Sequence, residues 1–221
     1  MKSVKGIVLA ISSALLVLPM AVSAYDAGDK LVKFGAASVN PESVSSDIDQ
    51  IAGEAVTADD EVQFGISGTY MLSDKVGVEL LAATPFSHDI TATGGTLDGA
   101  DIGSVKHLPP TLSAQYYFLG SQNNFKPYVG AGLNYTVFFS EDIGSGAAGL
   151  GYSDIELDDS FGLSAQIGFD YQVNNKWMIN ASAMYADIGT TATLTGSGQT
   201  TLTVDYDLDP VVYRLNAGYK F

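Results

Sequence analysis

Eight segments of this chain alternate apolar and polar residues with a period of two, and the connections between them alternate short and long. From Glu61 to Ser73 the apolar positions are Val62, Phe64, Ile66, Tyr70 and Leu72, with Gln63, Gly65, Ser67 and Thr69 between them. Successive side chains of a strand point to opposite faces, so this segment is a strand with two unlike faces. The pattern returns at Val76, Val78, Leu80 and Ala82, at Leu112 to Phe118, at Val129 to Phe139, at Phe161 to Val173, at Trp177 to Tyr185 and at Val211 to Phe221. A weaker segment from Lys30 to Asn40 makes eight, an even number that suits a closed antiparallel barrel.

The connections place that barrel in a membrane. Ser73 to Lys75, Gly120 to Phe125 and Asn174-Asn175 are tight turns, whereas Pro41 to Asp60, Ser87 to Lys106, Ser140 to Asp159 and Ile188 to Asp209 are long and rich in glycine or acidic residues. Short periplasmic turns with long extracellular loops are the outer-membrane pattern. After residue 24 no stretch of about 18 apolar residues exists, which excludes a transmembrane helix there.

Charge placement tests the same idea, since a basic side chain facing lipid at mid-bilayer costs about 2–4 kcal/mol. Lys33, Glu79, Asp170, Arg214 and Lys220 all fall on the polar parity of their strands. The first four are expected to line the lumen. Lys30 and Asp187 fall on the other parity, but at strand ends. Tyr70, Tyr116, Phe118, Tyr171, Trp177, Tyr219 and Phe221 cluster beside the short turns, as an interfacial aromatic girdle would.

Residues 1–24 carry Lys2 and Lys5, an apolar run from Gly6 to Leu18, and Val22-Ser23-Ala24. That is the layout of a secretory signal peptide cleaved after Ala24, leaving 25–221 as one barrel domain. The chain's net charge is −15, and no acidic residue precedes Asp26, so the mature protein is more acidic still. It lacks the basic footprint that nucleic acid demands. Cysteine is absent, which removes disulfides, thiolate nucleophiles and sulfur-rich zinc sites.

The stretches VGVELLAATPF (Val76 to Phe86), HLPPTLSAQYYF (His107 to Phe118), KPYVGAGLNYTVFF (Lys126 to Phe139) and NAGYKF (Asn216 to Phe221) resemble the outer membrane protein W family, in order and at its spacing. The resemblance implies an eight-stranded barrel in the outer membrane of a Gram-negative bacterium that admits small hydrophobic molecules. Phe221, preceded by Tyr219, Ala217, Leu215 and Tyr213 at every second position, also resembles the signal read by barrel assembly machinery.

Catalytic and metal chemistry find little support. Ser87-His88-Asp89 holds the residue types of a hydrolase relay, but neighbours on an extended segment point to opposite faces. No enzyme and no cofactor are therefore expected. His88 and His107 flank the second long loop and could come close, yet a pair without a third ligand at metal spacing reads as rim residues. Asp154, Glu156 and Asp158 alternate, as do Asp205, Asp207 and Asp209. They fit no calcium-loop pattern and read as solvated faces, open to loose bridging with lipopolysaccharide headgroups through divalent ions.

Five residues on the polar parity are nevertheless apolar: Leu81 and Met184 at mid-depth, with Met71, Met178 and Val212. They are expected to form a constriction in the lumen. Pro85, Pro109 and Pro110 surround one hairpin, where missing N–H donors should weaken strand pairing and open a side exit to the membrane. The alternative is a barrel whose lumen is plugged by its own side chains and whose loops bind a host surface, phage or lipopolysaccharide, since eight strands leave an interior barely wider than its side chains.

Overall fold

The computed structural model describes residues 25–40, 44–45, 55–57, 61–94, 98–119 and 123–221. The leader, most of the first long connection and the tip of the second short turn lie outside the described residues.

Eight strands close into a barrel: β1 (Lys30–Asn40), β4 (Glu61–Met71), β5 (Val76–Ala83), β8 (Thr111–Tyr117), β9 (Phe125–Ile143), β11 (Ser160–Gln172), β12 (Trp177–Ala186) and β15 (Val211–Lys220). Each pairs antiparallel with its neighbours, and closure comes from β1 against β15 and β9 against β11. Every period-two segment became one of these strands because closure leaves no edge of unpaired backbone groups in lipid. The faces follow the parity. Phe64, Ile66, Leu80, Leu112, Val129, Leu163, Ile167 and Leu215 are exposed on the outer wall, while Ser67, Gln115, Gln166 and Asn216 are buried inside. At the lower rim the girdle aromatics meet edge to face, Tyr116 with Phe118 at 5.5 Å and Trp177 with Tyr219 at 5.0 Å.

The turns at this rim are held by side-chain caps: Ser73 Oγ accepts from the Val76 N–H (3.0 Å), and Asn174 Oδ1 from the Trp177 N–H (2.9 Å). Phe221 ends the chain with its N–H on the Lys30 carbonyl at 2.9 Å. Gly35, on the inward parity, is required sterically. A Cβ at Gly35 would collide with the Leu215 carbonyl of β15, so only glycine permits β1 and β15 to approach there.

Above the membrane wall the long connections form a second structured region. It contains β2 (Val44–Ser45), β3 (Ala55–Thr57), the hairpin β6 (Phe86–Thr93) with β7 (Asp101–Leu108), helix α1 (Ser145–Gly149), β10 (Asp154–Leu157), β13 (Gly189–Thr195) and β14 (Leu202–Asp207). The β6–β7 hairpin continues the main sheet by pairing β7 with the upper part of β9, while β10, β13, β14 and β2 form a separate sheet. Ile102, Val105, Phe138, Ile155, Leu157, Ile188, Leu194, Val204 and Leu208 are buried together between them.

Candidate functional site

The strands run alternately up and down, so inward residues sort into levels along the barrel axis. At the periplasmic end, Tyr25, Leu31, Met71, Tyr117, Tyr128 and Met178 pack as one buried cluster. Tyr25 turns into the lumen from below the first strand. Its ring stands edge-on to Tyr117 at 5.2 Å, and its hydroxyl donates to Asp170 Oδ2 at 2.6 Å.

The next level is charged. Lys33 and Glu79 are each 1 % exposed and Asp170 is fully buried. Lys33 Nζ lies 3.6 Å from Glu79 and 3.5 Å from Asp170, and Arg214 Nη2 lies 3.5 Å from Glu79. Two cations thus face two anions in a neutral set. Amide and hydroxyl groups satisfy much of what remains. Ser67 and Gln115 donate to Glu79 at 2.9 Å each, Asn180 donates to Asp170 at 2.8 Å, and Arg214 donates to Gln166 at 2.7 Å and to Ser182 at 2.9 Å. Because these partners come from β1, β4, β5, β8, β11, β12 and β15, the network spans the lumen from wall to wall. Buried charges persist only when paired and hydrogen-bonded in this way.

Above it sits a second apolar cluster: Ala37, Val39, Leu81, Phe86, Met184 and Val212. The five apolar residues that the sequence puts on the polar parity therefore do not form a single ring. Leu81, Met184 and Val212 lie over the charged level, and Met71 and Met178 lie under it.

Phe86 leads upward into a cavity between the extracellular strands. Its walls include Ile90, Ile102, Val105, Phe138, Ile155, Leu157, Leu194, Val204 and Leu208, with His88 and His107 among them. The space amounts to about 580 Å³ with its mouth counted, but only about 40 Å³ is open to the centre of a water molecule, so it is a narrow slot. The two imidazoles stack at 5.0 Å, and His107 also stacks on Phe86 at 5.5 Å and meets Phe138 at 5.7 Å. Burial, with His88 beside it, pushes the His107 pKa down to about 3, which keeps the ring neutral at ordinary pH. Among the described residues, no group of three or more His, Cys, Asp or Glu side chains is placed to hold a metal ion.

The prolines lie where the wall changes partners. Pairing of β5 with β8 stops at Leu81 and Thr111, and pairing of β6 with β7 starts at Phe86 and His107. Between those pairs the stretch containing Pro85 faces the stretch containing Pro109 and Pro110 without a ladder. Bonds bridge from the other side: the Tyr135 N–H donates to the Pro110 carbonyl at 3.1 Å, and Asn134 Nδ2 donates to the Pro109 carbonyl at 3.3 Å and the Pro110 carbonyl at 3.5 Å. Ser87 and Asp89 are exposed while His88 is buried, so those three do not converge.

The OmpW family model matches residues 26–221. The chain belongs to the OmpW family. Outer membrane protein W of Vibrio cholerae serotype O1 is 45% identical over 214 residues, spanning 96% of this chain and 97% of that one. Outer membrane protein W of Escherichia coli K12 is 42% identical over 219 residues, spanning 98% and 100%. The crystal structure of OprG, an outer membrane protein of Pseudomonas aeruginosa, superposes with a TM-score of 0.86 at 43% identity, covering 90% of this chain and 99% of that one. This OmpW-family barrel is accordingly an integral protein of the Gram-negative outer membrane.

Sequence reasoning named the four charged lumen residues but missed Tyr25, Gln115, Gln166 and Asn180, which complete their network. The signal for three of them was present, since each shares the inward parity of its strand. Tyr25 precedes the first strand and gave no periodic signal.

Proposed function

We propose that this OmpW-family barrel takes small apolar molecules from outside into the cavity of its extracellular strands and releases them sideways into the membrane. The observation that carries this reading is the order of levels along the axis: an apolar slot above, an ion-paired network below, and an interrupted ladder beside the junction. Cargo moving straight down would have to part Lys33, Glu79, Asp170 and Arg214. Breaking a buried pair costs about 3–5 kcal/mol, whereas the hydrocarbon of the membrane is a favourable destination. Leu81, Met184 and Val212 form the constriction at the floor of the slot, and Met71 and Met178 help close the bottom. The exit runs between Pro85 and Pro109-Pro110. Unsatisfied backbone groups in lipid cost several kcal/mol each, and the bonds from Tyr135 and Asn134 reduce that cost at the gap.

Delivery to the membrane follows from the two ends of the chain. The leader is cleaved after Ala24, and Phe221, Tyr219, Leu215 and Tyr213 present the signal that barrel assembly machinery reads. Lipopolysaccharide surrounds the extracellular half. Uptake of the fluorescent hydrophobic molecule N-phenyl-1-naphthylamine, followed in cells with and without the protein, tests the reading. Faster uptake with the protein supports it, and equal rates overturn it.

A second reading draws on the same network. If the wall-to-wall ion pairs make the lumen a plug and nothing more, the protein is an interaction barrel whose loops bind a host surface, phage or lipopolysaccharide. Equal uptake rates, together with surface binding lost on loop replacement, would favour it.

A further inference from the structure

The lip of the exit formed by Thr84 to Ser87 is fastened toward β4. The β4–β5 ladder runs up to the pair Gly65 and Ala83, and the Thr84 N–H then donates to the Phe64 carbonyl at 2.9 Å. Pro85 has no N–H to continue with, and side chains of β4 take over. Thr84 Oγ1 donates to Gln63 Oε1 at 2.7 Å, Gln63 Nε2 donates to Glu61 Oε1 at 2.7 Å, and the Ser87 N–H donates to Glu61 Oε2 at 2.5 Å. This chain of bonds brackets Pro85 and Phe86 from both sides. Across the gap, no hydrogen bond joins Thr84 or Pro85 to Pro109 or Pro110, whose carbonyls are taken by Asn134 and Tyr135 of β9. Each lip is tied to the strand behind it and not to the other.

We infer that Glu61 is a positioning residue for the side exit: it holds the lip that carries Phe86 back on β4 and so keeps the gap from closing. The inference rests on the side-release reading above and adds to it the group that sets the opening. Phe86 is why this lip matters. Thr84 and Pro85 are exposed in succession, which shifts the strand's alternation by one residue and turns Phe86 inward. There it is 1 % exposed, packs with Leu81, Met184 and Val212, and stacks on His107 at 5.5 Å. Slot, floor and gap meet at this one ring, and the Ser87 N–H held by Glu61 is the next amide after it. A carboxylate suits the task, because a charge-assisted hydrogen bond is about twice as strong as a neutral one and Gln63 steadies the second oxygen. Released from Glu61, the lip settles against Pro109 and Pro110, where apolar contact is gained.

Uptake of N-phenyl-1-naphthylamine by cells carrying equal amounts of full-length wild type, Glu61→Ala or Glu61→Gln reads the effect. Glu61→Ala should slow protein-dependent uptake about fivefold, with heat-modifiable gel migration as in wild type. Glu61→Gln, whose amide oxygen still accepts from the Ser87 N–H, should recover most of the rate. That recovery separates a fastening bond from an effect of the negative charge. Uptake by Glu61→Ala within about 1.5-fold of wild type, or faster than wild type, overturns the inference alone. Glu61→Gln as slow as Glu61→Ala overturns it as well. Equal uptake by cells with and without the wild-type protein overturns the side-release reading together with it. The bond is also measurable in unmutated protein, apart from any folding defect: in lipid nanodiscs the Ser87 amide should exchange with deuterium at least about tenfold more slowly than an unprotected amide. Exchange at the unprotected rate overturns the inference whatever the uptake.

Discussion

Directly below Leu81 the inside of the barrel is held by a charged level; above it, by apolar packing. The lower region places Lys33, Glu79, Asp170 and Arg214 within 3.6 Å of one another in pairs and surrounds them with amides and hydroxyls. The upper region places Ile102, Val105, Leu157, Leu194 and Val204 around a narrow slot. Charged networks have directional partners and few alternative arrangements, so they close a lumen firmly. Apolar walls attract without direction, and they can part for cargo and close again at modest cost. Under the function proposed above, one barrel therefore carries a seal and a receptacle, stacked on the same inward parity.

The largest effect should come from breaking the seal. Glu79→Ala leaves Lys33 and Arg214 facing an empty position, and loss of one partner of a buried pair costs about 3–5 kcal/mol. The temperature at which the folded band disappears in heat-modifiable gel migration should fall markedly, and planar-bilayer conductance should rise as water enters. Val204→Ala in the slot removes only two methyl groups and should lower that temperature far less. Equal losses from the two variants would break the comparison.

Next comes the floor between the regions. Leu81→Ala combined with Met184→Ala empties space directly over the charged level, and buried apolar truncations leave cavities that the surroundings fill only in part. Uptake of N-phenyl-1-naphthylamine should change severalfold while conductance stays low, because the network below is untouched. Unchanged uptake in the folded double variant removes the constriction from the mechanism.

A smaller effect is expected at the wall. Pro85→Val with Pro110→Thr restores two N–H donors where the ladder is interrupted. If the new bonds stabilise the closed wall by about 1 kcal/mol, the open form becomes roughly fivefold rarer. Uptake should fall accordingly with gel migration unchanged, and unaltered uptake would argue against a side exit at these prolines.

How much of this was legible in the sequence differs between the same two regions. The eight barrel strands were, because lipid outside and packed side chains inside impose a strict alternation, and Lys33, Glu79, Asp170 and Arg214 were placed inward by parity alone. The extracellular strands were not. In β6 and β7 the buried residues include His88, Ala92, Ile102, Gly103 and Val105, a mixture in which adjacent residues are buried together near the register shift between Ile90 and Thr91. Exposed Asp154, Glu156, Asp205 and Asp207 gave β10 and β14 the look of solvated loops, although Ile155, Leu157, Val204 and Tyr206 between them are buried. His88 and His107 could come close from their places around the loop but read as rim residues, and they stack. That they line an apolar slot required the pairing of β6 with β7, which no local pattern specifies.

The smallest effect, and the sharpest on the seal, is expected at Tyr25. The proposed cleavage after Ala24 would make Tyr25 the first residue of the mature chain, and mass spectrometry of the N-terminus checks that directly. Its hydroxyl donates to Asp170 at 2.6 Å, Lys126 Nζ stands 5.0 Å over its ring, and the ring packs on Tyr117. Asp170 is not dependent on it alone, since Asn180 donates to the same carboxylate at 2.8 Å and Lys33 lies 3.5 Å away. Tyr25→Phe keeps the ring and removes one hydrogen bond, so it should cost only about 1 kcal/mol and leave conductance low. Tyr25→Ala also removes the ring, opens the periplasmic cluster, and should cost more. If Tyr25→Phe were as damaging as Glu79→Ala, the network would hang on its first residue rather than on redundant pairing, and the lower lumen would be a latch instead of a seal.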